Sequence, residues 1–249
     1  MTRWARFTLM AALAGVLSGC AARQAIRPDY DPWQGFNRKI FWFNDKLDVY
    51  ALEPLGKAWD FAVPKPAQLS VTSFFTNLRF PISASNNLLQ GKWRGSATET
   101  GRFAINTTLG FLGLFDTATP LGLEARPEDF GQTLGWWGVP AGPYLVLPFF
   151  GASNPRDTAG LGADYAMRIY PFFVGTTVEV LITSGANGVD IVNTRASFLK
   201  EVEDAKSAAL DYYVFVRNAY IQRRNALVND SNEVERSNAE DLYEVPEDE

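Results

Sequence analysis

The sequence of 249 residues contains no histidine and only one cysteine. The absence of histidine excludes Ser-His-Asp and Cys-His catalysis and removes the commonest metal ligand. One cysteine, Cys20, cannot form a zinc or iron–sulfur cluster. We therefore expect no metal site and no cofactor, and catalysis is not the leading interpretation.

Positive charge is also scarce. The chain has 23 Lys and Arg against 28 Asp and Glu, and removal of a leader containing Arg3 and Arg6 leaves 21 against 28, a net charge of -7. This balance excludes nucleic acid as a partner and gives no support for polybasic binding to anionic lipid. Aromatic residues make up 14% of the chain. Any membrane contact beyond a lipid anchor must therefore use apolar and aromatic surface.

Regular membrane-spanning segments are missing as well. The uncharged stretch Phe130–Pro155 contains five glycines and four prolines, so it cannot form a regular helix. A second apolar stretch, Phe103–Asp116, is too short to cross a hydrocarbon core of about 30 Å as a helix. We expect it to lie in an interface or inside the protein.

The N-terminus has the pattern of a secretory leader. Residues 1–19 begin with Arg3 and Arg6 and continue through an apolar stretch. The stretch ends at Leu17-Ser18-Gly19-Cys20, which resembles a bacterial lipobox, so Cys20 is the predicted lipidation site. The alternative is an ordinary cleaved signal with a coincidental cysteine. Because no aspartate follows Cys20, the outer membrane is the expected destination. Residues 20–29 are predicted to be a linker.

The last residues, 230–249, are polar and acidic and predict a disordered tail. About 200 residues remain between linker and tail, enough for one domain over 30–229.

Capping patterns divide this domain into helices. Asp31-Pro32-Trp33-Gln34 predicts a helix start, with Phe36, Ile40, Phe43 and Leu47 along one face, and Pro54 is expected to interrupt this helix. Further boundaries are expected at Pro64-Lys65-Pro66, at Pro81 between two short helices, at Ser96-Ala97-Thr98-Glu99, and at Asn154-Pro155.

Two later segments leave alternatives open. The β-branched residues of Val174–Val192 favour a strand, although its spacing also suits a helix. Ala196–Val228 has the clearest helical periodicity, as one long helix or as two with a break near Asp211.

Weak catalytic patterns remain. Ser197-Phe198-Leu199-Lys200 matches S-x-x-K without its companion motifs. Glu128-Asp129 and Asp116 are possible paired carboxylates, but capping or surface roles are the simpler interpretation.

Several long motifs resemble, in the same order, the MlaA (VacJ) family of outer-membrane lipoproteins. They are DPWQGFNRKIFWFNDKLD, NNLLQGK, RFAINTTLGFLGLFD, EDFGQTLGWWGVPAGPYLVLPFFG and NPRD.

The resemblance implies an all-α fold, a flattened ring of amphipathic helices in the periplasmic leaflet with a central polar channel. It implies removal of mislocalised phospholipids from the outer leaflet and their transfer to the periplasmic carrier MlaC, which maintains lipid asymmetry. The implied partners are phospholipid, an outer-membrane porin trimer and MlaC. The helical fold also favours helix and loop over strand at Val174–Val192.

Polar side chains within apolar motifs are the channel or lipid-contact candidates: Asn44, Asn77, Asn87, Asn106 and Thr107. For each, helix capping or core hydrogen bonding is an equally good interpretation. Arg79, Arg94 and Arg102 are further candidates for meeting a phosphate, although simple exposure on the surface is the stronger interpretation. The predicted membrane-interface anchors are Trp42, Phe111, Trp136, Trp137 and Tyr144. Two alternative functions remain open: a lipoprotein that braces porins, and a membrane-held lipid hydrolase.

Overall fold

The computed structural model describes residues 31–167 and 177–230. The predicted leader, the linker with Cys20, and the tail after Asp230 lie outside the described residues. The described chain is mostly helical, with one two-stranded antiparallel sheet. The helices are α1 Gln34–Leu47, α2 Glu53–Ala62, α3 Lys65–Leu78, α4 Phe80–Leu89, α5 Trp93–Thr108, α6 Phe130–Trp136, α7 Pro155–Met167, α8 Thr177–Ser197, α9 Leu199–Ala208 and α10 Tyr212–Val228. The strands are β1 Leu145–Leu147 and β2 Gly151–Ser153.

The first helical segment differs from its prediction at both ends. Asp31 does not cap α1, because its carboxylate accepts hydrogen bonds from the side chains of Asn37 and Tyr213 instead. Pro54 does not interrupt the helix either. A π-helical segment, Asp48–Leu52, joins α1 to α2, and Pro54 occupies the first turn of α2, where no backbone N–H is needed.

Local proline and cap signals predicted most later boundaries. Breaks at Pro64 and Pro81 are confirmed, since α2 ends before Pro64 and α3 and α4 meet at Arg79. Helix α7 begins at Pro155, and Asn154 Oδ1 accepts from Asp157 N at 2.8 Å. The predicted start at Ser96 is wrong: α5 begins at Trp93. Glu99 is buried and accepts from the Arg126 amide instead of closing a cap.

The segment Ala196–Val228 contains the last two residues of α8, a break at Phe198 that was not predicted, and then α9 and α10. Helix α9 ends at Ala208, and Asp211 caps α10 by accepting from Val214 N at 3.2 Å. The break near Asp211 is therefore confirmed. The strand interpretation of Val174–Val192 is wrong over the described part, which is helical from Thr177. Residues 174–176 lie outside the described residues.

The uncharged stretch Phe130–Pro155 begins as the seven-residue helix α6 and then becomes loop and hairpin. In the hairpin, Leu145 pairs with Ser153 and Leu147 with Gly151. Asn44 on α1 holds the hairpin, donating to Leu147 O and accepting from Phe149 N, both at 2.9 Å. Tertiary packing thus supports a segment with little helical propensity.

The elements contact one another in a closed circuit. Helix α1 packs on β1, β2 on α10, α10 on α6, α6 on α4, and α4 on α3. From there α3 packs on α8, α8 on α2, and α2 returns to α1 through the π-helical segment. Helices α6 and α7 approach most closely at two glycines, since a Cβ on Gly160 would lie 2.4 Å from the backbone nitrogen of Gly131.

Candidate functional site: a polar interior beneath an aromatic surface

The interior of the described chain is unusually polar. Eighteen polar or charged side chains are buried in it, against eight hydrophobic ones. Conversely, twenty-eight large hydrophobic side chains of the described residues are exposed. Soluble proteins show the opposite distribution, so this surface is suited to contact with lipid or with a partner.

One polar cluster joins α4 to α6 and α7. Thr133 Oγ1 donates to Asn86 Oδ1 at 2.8 Å and accepts from Gln90 Nε2 at 3.0 Å. Asn86 Nδ2 donates to Asp164 Oδ1 at 3.2 Å, and the Phe130 amide donates to the same carboxylate. Since Asn86 and Thr133 are fully buried, these bonds fix the relative position of three helices in place of apolar packing.

Asp164 makes stability depend on pH. Burial raises its pKa to about 6, assisted by the charge of Asp129 and opposed by the bonds from Phe130 and Asn86. The unfolded value is about 4, so between these values the folded state binds more protons and stability falls as the pH rises. Asp164→Asn should remove this loss and stabilise the protein above about pH 7 by roughly 1 kcal/mol, after allowance for partial exposure.

The measurement is the urea midpoint in detergent at about pH 4.5, 6 and 7.5. Asp204→Asn is the control, because Asp204 is exposed on α9. Parallel pH profiles for wild type and Asp164→Asn would contradict the assignment.

A second cluster ties α10 to α6 and α7. Arg224 makes two bonds of 2.5 Å to the carboxylate of Asp129, and its Nη2 lies 3.1 Å from Asp157 Oδ1. Tyr220 Oη donates to Asp157 Oδ2 at 2.5 Å. Burial alone would raise the pKa of Asp129, but the bonds and charge of Arg224 outweigh it, so the pKa is lowered. The carboxylate is therefore ionised and paired.

A third cluster holds the loop that follows α5. Asn106 Oδ1 accepts from the amides of Thr117 and Ala118, each at 2.9 Å. Arg102 donates to Asp116 Oδ2 at 3.0 Å. Burial would raise the pKa of Asp116, but hydrogen bonds from Thr119 and Arg102 lower it to about 2. These bonds fix both ends of a loop whose tip is apolar.

That tip presents side chains from a strained backbone. Phe111 and Leu112 have φ of 54° and 60°, in the left-handed region that non-glycine residues rarely adopt. Leu109, Phe111 and Leu112 are each about two-thirds exposed or more. The loop therefore directs apolar side chains outward at a cost in local strain.

The five channel candidates all take part in internal hydrogen bonds. Asn77 Nδ2 donates to Thr107 Oγ1 at 3.0 Å, which brings these two candidates together and joins α3 to α5. Asn87 donates to the carbonyls of Ser83 and Arg126. Asn44 and Asn106 hold the hairpin and the loop, as described above. Contact of these side chains with lipid stays a prediction.

The three arginine candidates are separated. Arg79 pairs with Asp190 at 2.6 Å, Arg102 is buried against Asp116, and Arg94 is exposed. Glu128, one of the acids in the paired-carboxylate pattern, has structural partners too, because its carboxylate accepts hydrogen bonds from Gln90 and Lys92. Ser197 Oγ donates to the carbonyl of Thr194 at 2.8 Å. These contacts give the S-x-x-K and paired-carboxylate patterns structural roles.

Three fully buried asparagines were missed by sequence reasoning. Asn37 donates to Tyr144 O and accepts from Val146 N, both at 2.9 Å. Asn193 bridges three helices, accepting from Trp59 Nε1 at 3.0 Å and donating to Thr72 Oγ1 at 2.9 Å. Asn86 belongs to the first cluster. The only available signal was an amide within an apolar helical motif, which all three share with the chosen candidates.

Four of the five predicted anchors are exposed: Trp42 at 63%, Phe111 at 70%, Trp136 at 50% and Trp137 at 52%. Their contact with a membrane interface stays a prediction. The prediction that Tyr144 is a membrane-interface anchor is wrong, because Tyr144 is only 3% exposed and packs with Val146 and Tyr213 in the small apolar core. Its ring lies against the rings of Tyr213 and Tyr220, with centroids 6.1 Å and 5.9 Å away.

Residues 31–167 and 177–230 contain no group of three or more acidic, His or Cys side chains suited to a metal ion. In the same ranges, none of the helices has the length and apolar character needed to cross a bilayer.

Fold and surface together define an all-α bundle with a hydrogen-bonded polar interior and an aromatic exterior. The family profile described as MlaA lipoprotein matches residues 29–227. The chain belongs to the MlaA lipoprotein family.

Two relatives and a solved structure support this family membership. The intermembrane phospholipid transport system lipoprotein MlaA of Haemophilus influenzae is 36% identical over 236 residues, covering 91% of each chain. Its Escherichia coli K12 counterpart is 34% identical over 229 residues, covering 90% of this chain and 89% of that one. A chain solved in work on the structural basis for maintenance of bacterial outer membrane lipid asymmetry superposes with a TM-score of 0.69 at 36% identity. The superposition covers 80% of this chain and 99% of the solved chain.

Proposed function

We propose that this protein removes mislocalised phospholipids from the outer leaflet of the outer membrane and passes them to the periplasmic carrier MlaC, thereby maintaining lipid asymmetry. Relatives covering most of the chain are named as lipoproteins of intermembrane phospholipid transport. The proposal includes a lipid anchor on Cys20, a position in the periplasmic leaflet, and a porin trimer as the partner.

The observation that carries this proposal is the predominance of polar side chains among the buried residues, in a fold whose elements contact one another in a closed circuit. A phospholipid headgroup that crosses a leaflet must avoid hydrocarbon, because burying an unpaired charge there costs several kcal/mol or more. A passage inside the circuit would offer hydrogen-bonding groups instead. No bond is made or broken in such a transfer, and its direction is set by the partners.

The exposed aromatics support placement in one leaflet. Trp42 lies on α1 and Trp136 and Trp137 lie at the end of α6, and tryptophan side chains favour the headgroup region of a bilayer. The apolar loop after α5 adds Phe111 to this set. We propose that these side chains hold the circuit in the periplasmic leaflet, while the acyl chains on Cys20 supply the covalent anchor.

Deletion of the gene tests the transport role. Outer-leaflet phospholipid is measured by labelling surface amines with a membrane-impermeant reagent, and it should rise and return to normal on complementation. A change in porin assembly without that rise would replace transport with the porin-bracing alternative. Release of fatty acid from labelled phospholipid by the purified protein would instead establish the hydrolase alternative.

Photo-crosslinking in cells tests the partners. A crosslinker at Phe111 or at Phe150 should capture phospholipid, porin or MlaC, whereas one at the exposed Lys200 of α9 serves as the polar control. Equal capture from all three positions would show that the apolar surface does not select its partners.

Cys20→Ala should reduce the amount of protein in the outer membrane. The change removes the predicted acylation site, so the protein has no acyl chains to anchor it and residues 1–19 act only as a secretory signal. Fractionation of the two membranes and the periplasm measures this loss, and Ser18→Ala is the control because it keeps a small residue before the cysteine. Finding Cys20→Ala in the outer membrane at the wild-type amount would contradict the predicted lipobox.

A further inference from the structure

The two faces of α1 differ in a way that its role in packing does not explain. Asn37 and Asn44 point inward and bond to the hairpin, and Ile40 and Phe41 pack against the apolar core. The opposite face carries a shallow groove of about 430 Å³, lined by Arg38, Lys39, Trp42 and Phe43.

Two cations line the groove of this acidic protein, and one of them is paired with a carboxylate. The chain as a whole has a formal net charge of -5, yet two adjacent cations line the groove. Arg38 is held in place, because its guanidinium lies 2.6 Å from Asp211 and 4.5 Å from the centre of the Tyr213 ring. This pair is exposed, so its rearrangement costs little. Lys39 is exposed and lies in none of the ion pairs found among the described residues.

The other half of the groove is apolar and continues beyond α1. Trp42 and Phe43 are 63% and 41% exposed. The Phe43 ring meets the Phe149 ring edge to face, with centroids 5.4 Å apart. Phe149 and Phe150 at the tip of the hairpin are 70% and 71% exposed. Cations and a continuous aromatic strip thus lie side by side.

We propose that this groove binds one anionic phospholipid, with its phosphodiester between Arg38 and Lys39 and an acyl chain along Trp42 and Phe43 toward Phe149. Both cations donate charge-assisted hydrogen bonds to phosphate oxygens. A zwitterionic lipid brings its own ammonium group against Lys39, so the groove selects lipids with net negative charge. The inference rests on the proposed function only in placing the protein among phospholipids.

The test is native mass spectrometry of the purified full-length protein in detergent, titrated with phosphatidylglycerol or with phosphatidylcholine. Wild type should retain phosphatidylglycerol in preference. Lys39→Gln and Arg38→Gln should each weaken its retention about tenfold, because each removes a charged hydrogen-bond donor. Asp211→Asn breaks the same ion pair as Arg38→Gln but keeps the cation, so it should bind at least as well as wild type. Lys200→Gln removes one charge from α9 and should change nothing.

Several results would overturn the inference. One is that Lys39→Gln and Arg38→Gln retain as much phosphatidylglycerol as wild type. Another is that Lys200→Gln loses as much phosphatidylglycerol as these two variants. The third is that Asp211→Asn loses as much phosphatidylglycerol as Arg38→Gln. Binding of inorganic phosphate as tight as that of phosphatidylglycerol would mark a free-anion site instead. Capture of a porin or of a second copy from a crosslinker at Trp42, without lipid, would also overturn it.

The inference and the proposed function fail separately. If wild type restores lipid asymmetry in cells but shows no preference for phosphatidylglycerol, the groove assignment alone is wrong. If deletion leaves outer-leaflet phospholipid unchanged while the groove variants still lose phosphatidylglycerol, the transport role alone is wrong.

Discussion

Arg224→Met should lower the free energy of unfolding by roughly 3–5 kcal/mol, the usual cost of removing one partner from a buried ion pair. Arg224 on α10 pairs with Asp129 at the start of α6 and with Asp157 on α7. Its side chain is only 14% exposed. Methionine keeps most of the side-chain length, so the change leaves Asp129 without its cation, while Asp157 keeps its contact with Arg156 at 2.9 Å.

The control is Arg223→Met, because Arg223 is the exposed neighbour on the same helix. Chemical denaturation in detergent, followed by tryptophan fluorescence, measures both variants. The deficit of Arg224→Met should shrink as the pH falls from about 7 toward 4, since the carboxylate of Asp129 then takes up protons. Equal stability of the two variants at neutral pH would show that the cluster contributes nothing.

Gly160→Ala should be the next most damaging change, at about 1–3 kcal/mol, because the methyl group has no room. It would lie 2.4 Å from the nitrogen and 2.7 Å from the Cα of Gly131. Both atoms are backbone, so α6 must move away from α7. Such a shift also disturbs Thr133, whose bonds join α6 to α4.

Gly162→Ala on the same helix is the matched control. A Cβ on Gly162 meets nothing within 4 Å, so the better helix propensity of alanine should stabilise this variant by roughly 0.5–1 kcal/mol. The two variants therefore change stability in opposite directions, which the same denaturation measurement resolves. If they change it equally, the close contact of α6 and α7 does not limit the packing.

Local signals predicted part of this fold, and tertiary partners decided the rest. The caps at Asn154 and Asp211 act on amides three residues away, so the sequence was sufficient. Asp31 has the same local signal, but its carboxylate bonds to Tyr213 near the other end of the chain. The β-branched residues of α8 misled in a similar way, because packing on α2 and α3 outweighed propensity.

The candidate site was harder to predict because apolar residues lie on both faces of α1. Phe36 and Phe43 point outward, whereas Ile40 packs against the core on the same side as Asn37 and Asn44. The hydrophobic pattern therefore does not distinguish the inner face from the outer one. Tyr144 was misplaced for a related reason, since an aromatic residue between two half-buried neighbours gives no local sign that it belongs to the core.

The closed circuit has a consequence for how the chain folds. Hydrogen bonds that close it join Asn37 to Tyr144 across 107 positions and Asp31 to Tyr213 across 182. Contacts of such long range require the loop-closure entropy to be lost before they form, which slows folding. The circuit cannot be completed until α10 is available, because β2 and α6 both pack on it. A chain with this topology depends on being kept from aggregation until its last helix arrives.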